Sequence, residues 1–404
     1  MRRFSWASYG MFFLSGVSAV LLGAVMPEFL QHYRATYAAG GRIVLVQAIG
    51  FIIGVPLSTR LANLLPRPKV LALSGLTIAV AQGALLTLPQ FRWIYLVVIC
   101  NGLGVGALET LVAPSILETF PQQQAIYMSR LEASFGLGAL TLPALTGTLI
   151  LLGHWQLSFL ATGLLSLSLA FCWFRITMPE PSSETATQRD APMSNPPRFL
   201  QRSTKILVLS SFLFTTVIYV GLEGSINNFL PALFLAGFKA TAVAATLTSS
   251  TFWAFMVLGR LGIHWVAQHL RYDQYLWVSV SATVASLAIL ANVRSSGIGF
   301  LLVATLGLGM AAIYSLFLVY ANHTFPGQTQ SITSAILMMS GLGNAIFPAT
   351  FGYEMDRLSI HDTLILLVGV ASLIWIGLFT ISLVLRMLRA RDNRRHSTSE
   401  KGYM

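Results

Sequence analysis

The chain has 404 residues, of which 55% are apolar and only 10% charged, with a formal net charge of +11. Soluble domains carry about 25% charged residues, so a water-soluble domain is excluded and the chain reads as an integral membrane protein. The positive balance belongs to membrane topology and to attraction for anionic lipid, not to nucleic-acid binding.

Crossing a bilayer as a helix takes about 20 apolar residues, and scanning for such runs predicts twelve spans. They fall at 7–29, 43–64, 70–88, 93–118, 125–150, 155–177, 205–234, 241–266, 274–292, 297–321, 331–352 and 362–387. The first is too long for a cleavable signal peptide and lacks a small-residue cleavage site before a polar mature start. With the N-terminus inside, inner segments hold 17 of the 25 basic residues and outer loops hold six. Both termini of this multi-pass cell-membrane protein are therefore expected in the cytoplasm. Trp6, Trp93, Trp155, Trp265 and Trp277 fall near span ends and read as interfacial anchors. Cys100 and Cys172 lie within spans, where a cysteine behaves as a small hydrophobe.

The first span carries no acid between Trp6 and Pro27. Gln47 in the second, Gln82 in the third and Asn101 in the fourth are candidate cavity-lining residues, although each such residue alone is more often packing or interhelical bonding. The fourth span then runs through "GALETLV" (106–112), which places Glu109 and Thr110 in an otherwise apolar stretch. A carboxylate there costs several kcal/mol unless it is paired, neutralised or wet. The fifth span adds Arg130 and Glu132. A short turn joins spans four and five, so Glu109 and Glu132 are expected at nearly the same depth, roughly 12–18 Å from the inner ends. Two readings follow. Arg130 pairs with Glu109 or Glu118 and locks the two spans together, or Glu109 titrates and carries a proton, with Glu132 as a second candidate.

Residues 178–202 hold five prolines among Ser, Thr and charges, the composition of a flexible linker. The chain thus divides into a six-span half at 1–177, a cytoplasmic linker at 178–204, a second six-span half at 205–387 and a basic tail at 388–404. In the seventh span, "YVGLEGSINNFLPALF" (219–234) contains Glu223, the third intramembrane acid. Asn227 and Asn228, followed by Phe229, suit a polyhydroxylated ligand, because amides donate and accept to vicinal hydroxyls while a ring stacks on sugar C–H. The bland reading is a helix break whose freed backbone groups the asparagines satisfy. Trp253 in the eighth span, Tyr314 in the tenth and Asn344 in the eleventh are further candidate cavity-lining, substrate-binding residues, and Arg260 also lies in the eighth. Arg260, like Arg130, is a candidate partner for the intramembrane acids.

The two halves repeat each other. "FGLGALTLPALTG" (135–147) aligns with "SGLGNAIFPATFG" (340–352), and "NGLGVGALET" (101–110) with "LGLGMAAIYS" (306–315), both 205 positions apart. Glycines recur because they let helices approach closely, whereas Glu109-Thr110 has become Tyr314-Ser315. Glu109 is therefore a one-sided feature. Two six-helix halves about an axis along the membrane normal describe a major facilitator transporter, an all-α fold with its site near the midplane between the halves.

The motifs also resemble the fucose:proton symporter family, and within it the bacterial glucose/mannose:proton symporters. The resemblance is carried by Gly102, Gly104, Glu109, Thr110, Phe135, Gly136, Gly138, Ala139 and Pro143. It continues in Gly221, Glu223, Asn228, Phe229, Leu230 and Pro231, and in Gly259 and Arg260. It implies proton-coupled uptake of a hexose, with Glu109 at the position of the family's proton-linked carboxylate in helix 4. The chain departs from the family in lacking an acid in helix 1, in having Ala113 where Asn is common, and in Asn63 within "TRLANLLPRPKV". The missing acid leaves Glu132 or Glu223 as the second titrating group.

The alternative function is a proton-antiport exporter of drugs or an amphipathic metabolite, and a third is an uncoupled facilitator or sensor. No Ser-His-Asp spacing, metal-ligand cluster or phosphate loop stands out, so the chain is expected to be no enzyme, with no cofactor and no metal. The expected partners are a small-molecule sugar, the proton and the lipid bilayer, with the protein acting as a monomer.

Overall fold

The computed structural model describes residues 2–120, 124–176, 202–269, 272–325 and 329–400, and all of its elements are helices. In chain order they are α1 (Arg2–Tyr33), α2 (Tyr37–Leu64), α3 (Arg67–Leu86), α4 (Phe91–Thr119), α5 (Gln124–Leu151) and α6 (Leu157–Arg175). There follow α7 (Arg202–Gly237), α8 (Ala242–His269), α9 (Tyr272–Asn292), α10 (Ser296–Met310), α11 (Ile313–Thr324), α12 (Thr329–Met355) and α13 (Ile360–Glu400). Among the described residues twelve spans are long and apolar enough to cross a membrane, which agrees with the hydropathy reading. The predicted linker lies outside the described residues except for its last three positions, which open α7. The region read as a basic tail continues α13 as helix through Glu400, and 401–404 lie outside the described residues.

One predicted span is not a single helix. The tenth breaks at Ala311 and Ala312 into α10 and α11. Hydropathy does not register this, because it measures the oiliness of a stretch and not the continuity of its hydrogen bonds.

The repeat seen in the sequence is present in the packing. Gly102 of α4 lies against the Gln47 carbonyl and the Phe51 amide of α2. Gly307 of α10 lies against the Phe252 carbonyl and Met256 amide of α8, each residue 205 positions further on. Gly104 meets Ser74 and Ile78 just as Gly309 meets Ser279 and Thr283. Gly138 against α1 is likewise repeated by Gly343 against α7. A Cβ would press on backbone at Gly102, Gly138, Gly307 and Gly343 and would crowd its neighbours at Gly104 and Gly309, which is why glycine occupies these crossings. The turns are duplicated as well: Arg34 and Lys239, also 205 apart, both adopt left-handed backbone with φ near 50°. Each precedes a threonine, Thr36 or Thr241, whose hydroxyl accepts from a backbone amide three residues on.

The two sets of six spans meet along α2 with α12 and α5 with α8, and α1 packs on α7. At the face opposite the termini the contact is close. Gly23 abuts the backbone of Asn227 and Asn228, Gly41 that of Pro348 and Ala349, and Gly352 the Tyr37 carbonyl. Toward the termini α4 makes no extensive contact with α10 or α11 among the described residues, and Ser129, Arg130 and Glu132 are exposed. The cleft between the halves thus opens on the side of the termini.

Candidate functional site

The intramembrane acids converge on this cleft from three helices. Glu109 projects from α4 and accepts a hydrogen bond from the Ser15 hydroxyl of α1. Its neighbour Thr110 turns back to the Gly106 carbonyl at 2.7 Å. Among the described residues no cation pairs with Glu109. Glu118, nearer the end of α4, is taken by Arg67 of α3 at 2.6 Å. Arg130, expected to pair with one of these acids, instead lies over the Tyr127 ring, 5.5 Å from its centroid. The expected clamp between spans four and five is therefore replaced by a link between α3 and α4. The direction around α5 decides where Arg130 points.

Glu132 finds its partner in the other half, where α5 meets α8. Its Oε2 is 3.3 Å from Nη1 of Arg260 on α8, with the two side chains 50% and 24% exposed. Arg260 does more than pair. Its Nε donates to the Ala311 carbonyl at 3.1 Å, and its guanidinium lies 5.8 Å from the Trp253 ring centroid. Tyr219 of α7 donates to the adjacent Met310 carbonyl at 2.9 Å. Both carbonyls sit at the α10–α11 break, where no amide one turn on takes them. Non-helical backbone at membrane depth is tolerated only when such groups are satisfied, and these two side chains satisfy them. Glu223, one turn beyond Tyr219, interacts with Tyr219 and with Arg260. Tyr314 of α11 contacts Ser340 of α12 and lies within electrostatic reach of Glu109, Glu132 and Glu223.

The remaining candidates separate into two groups. Asn227 is occupied at both ends: its Nδ2 donates to the Ala19 carbonyl of α1 at 2.8 Å, and its Oδ1 accepts from Nε1 of Trp253 at 2.9 Å. Asn228 donates to the Gly224 carbonyl of its own helix at 2.8 Å. Phe229 is buried against Phe351, and Asn101 accepts from Gln82 at 2.9 Å between α3 and α4. Toward the cleft, Phe135 and Trp253 face each other with centroids 5.6 Å apart. Asn344 of α12 is exposed beside Gly224, and Gln47 of α2 is half-buried. Sequence reasoning missed Ser15, Tyr219 and Ser340. A hydroxyl in a span has no periodicity of its own and usually bonds a carbonyl one turn back, so nothing in the sequence set these three apart.

The geometry gives an expected result for Arg260→Leu. It strands the Ala311 carbonyl, which costs about 1–3 kcal/mol if left unsatisfied, whereas a half-exposed ion pair contributes about 1 kcal/mol at most. Thermal unfolding in detergent should therefore show the double variant Arg260→Leu/Glu132→Gln almost as destabilised as Arg260→Leu alone. Near-complete recovery in the double variant would mean that the ion pair, not the carbonyl, dominates.

Two glycine-matched halves around a charged, one-sided cleft define a membrane transporter of the alternating-access kind. Residues 9–348 match the family model described as Major Facilitator Superfamily, and the chain belongs to that superfamily. It is 26% identical over 387 residues to the glucose/mannose transporter GlcP of Bacillus subtilis (strain 168), covering 95% of each protein. Its fold resembles that of a D-xylose-proton symporter, with a TM-score of 0.76 at 14% identity over 94% of this chain and 96% of that one. It also resembles a bacterial homologue of the human lysosomal transporter Spinster in an inward-facing, occupied conformation. There the TM-score is 0.73 at 12% identity over 95% and 96%.

Proposed function

We propose that this chain takes up a hexose of the glucose/mannose kind together with a proton, by rocking its two halves in the cell membrane. The observation that carries the reading is Glu109, an acid on the cleft wall whose partner is a hydroxyl and not a cation. A carboxyl in that setting can hold a proton or release it to water entering the cleft. The relationship to the Bacillus glucose/mannose transporter supports the sugar. Glu132, paired with Arg260, and Glu223, within electrostatic reach of it, are the second proton-responsive groups. Tyr314, Asn344 and Gln47 supply hydroxyl and amide contacts to the sugar, and the Phe135–Trp253 pair an aromatic wall. Both termini are cytoplasmic, so the cleft faces inward here, and the protein acts as a monomer.

Purified protein in vesicles with an acidic exterior should concentrate labelled glucose or mannose, and a protonophore should collapse the gradient of sugar. Failure to concentrate any monosaccharide, with extrusion of ethidium-like dyes instead, would establish the antiport reading.

A further inference from the structure

We infer that Asp356 is a latch that holds the two halves together at the face opposite the termini. It follows directly after α12, in the second set of six spans, yet its carboxylate caps α2 in the first set. Oδ1 accepts from the Tyr37 amide at 2.8 Å and Oδ2 from the Ala38 amide at 2.7 Å. The first amides of a helix have no acceptor within it, and an anion there also meets the positive end of the helix dipole. Close approach is what lets Asp356 reach: Gly352 seats the Tyr37 carbonyl, and Gly41 seats Pro348 and Ala349.

The repeat shows that this carboxylate is not part of the scaffold. The Thr36 cap on α2 has its equivalent in the Thr241 cap on α8, so each helix start is already served by its own threonine. The position equivalent to Asp356 is Leu151, which is exposed and offers no acceptor. The acid is thus an addition at one of the two equivalent junctions between halves. Opening the cleft at this face parts α2 from α12 and breaks both bonds. Asp356 therefore weights the equilibrium toward the state seen here and acts as a gating residue, one that touches neither sugar nor the intramembrane acids.

The test needs no substrate, so it is independent of what the protein carries. With Cys100 and Cys172 replaced by Ser, a single cysteine is placed by Ala24→Cys, at a buried α1 position whose carbonyl faces Thr246 of α8. An impermeant maleimide is applied from the face opposite the termini. Asp356→Ala should label about 5- to 20-fold faster, the effect of losing two charge-assisted bonds in a half-open setting. Asp356→Asn, which keeps one acceptor, should lie between it and the parent. Labelling rates indistinguishable from the parent in both variants would overturn the latch. If Asp356→Ala does not reach the membrane, Asp356→Asn alone decides by the same criterion.

Discussion

Glu109→Gln is expected to abolish gradient-driven accumulation of sugar while leaving exchange at equal concentrations intact. Glutamine keeps the volume and leaves a carbonyl oxygen to accept from Ser15, so the helix α1–α4 contact survives. What disappears is the proton that can come and go. For one proton per sugar, an inward gradient of two pH units supports about 100-fold accumulation, since each tenfold is about 1.4 kcal/mol. The variant should fall to a ratio of about 1 in the same vesicles. Counterflow of labelled against unlabelled sugar separates lost coupling from lost binding. Should the variant still concentrate sugar, the proton role would pass to Glu132, the partner of Arg260, or to Glu223.

Gly102→Ala should lower the thermal midpoint in detergent by several degrees, although alanine is the better helix former. A Cβ at Gly102 would press on the Gln47 carbonyl and come within 2.8 Å of the Phe51 amide. Both are backbone, so relief requires α2 and α4 to move apart. Overpacking of this kind costs about 1–3 kcal/mol, against a propensity gain of about 0.5–1 kcal/mol. Strain wins. Gly307→Ala, at the equivalent crossing of α8 and α10, should be affected in the same direction. Gly369→Ala in α13, with nothing within 4 Å, is the control and should melt no lower than the parent. A Gly102→Ala variant as stable as that control would refute the tight crossing.

Much of the fold was legible because transfer from water to lipid dominates it. The apolar runs marked the spans, and the 205-residue offset that aligned two glycine motifs also relates the helix crossings and the left-handed turns. Glu109 was legible for the same reason, as the residue that the apolar run and the repeat both fail to explain. Legibility ended where direction around a helix, and not depth, decides a partner. Arg130 shows this, since it turns to Tyr127 while Arg260 crosses to Glu132. The α10–α11 break shows it again. "NGLGVGALET" holds three glycines and "LGLGMAAIYS" two, yet only the second is interrupted. The difference lies in other helices. Tyr219 and Arg260 take the freed carbonyls, whereas the first-half position equivalent to Arg260 is Val55, which cannot.

That interruption makes the bundle one stiff lever and one jointed lever. α4 runs unbroken through its half, whereas its counterpart is hinged at Ala311–Ala312. Arg260 sits at that joint and reaches Glu132 on the opposite side, so one side chain ties the elbow to the contact between the halves.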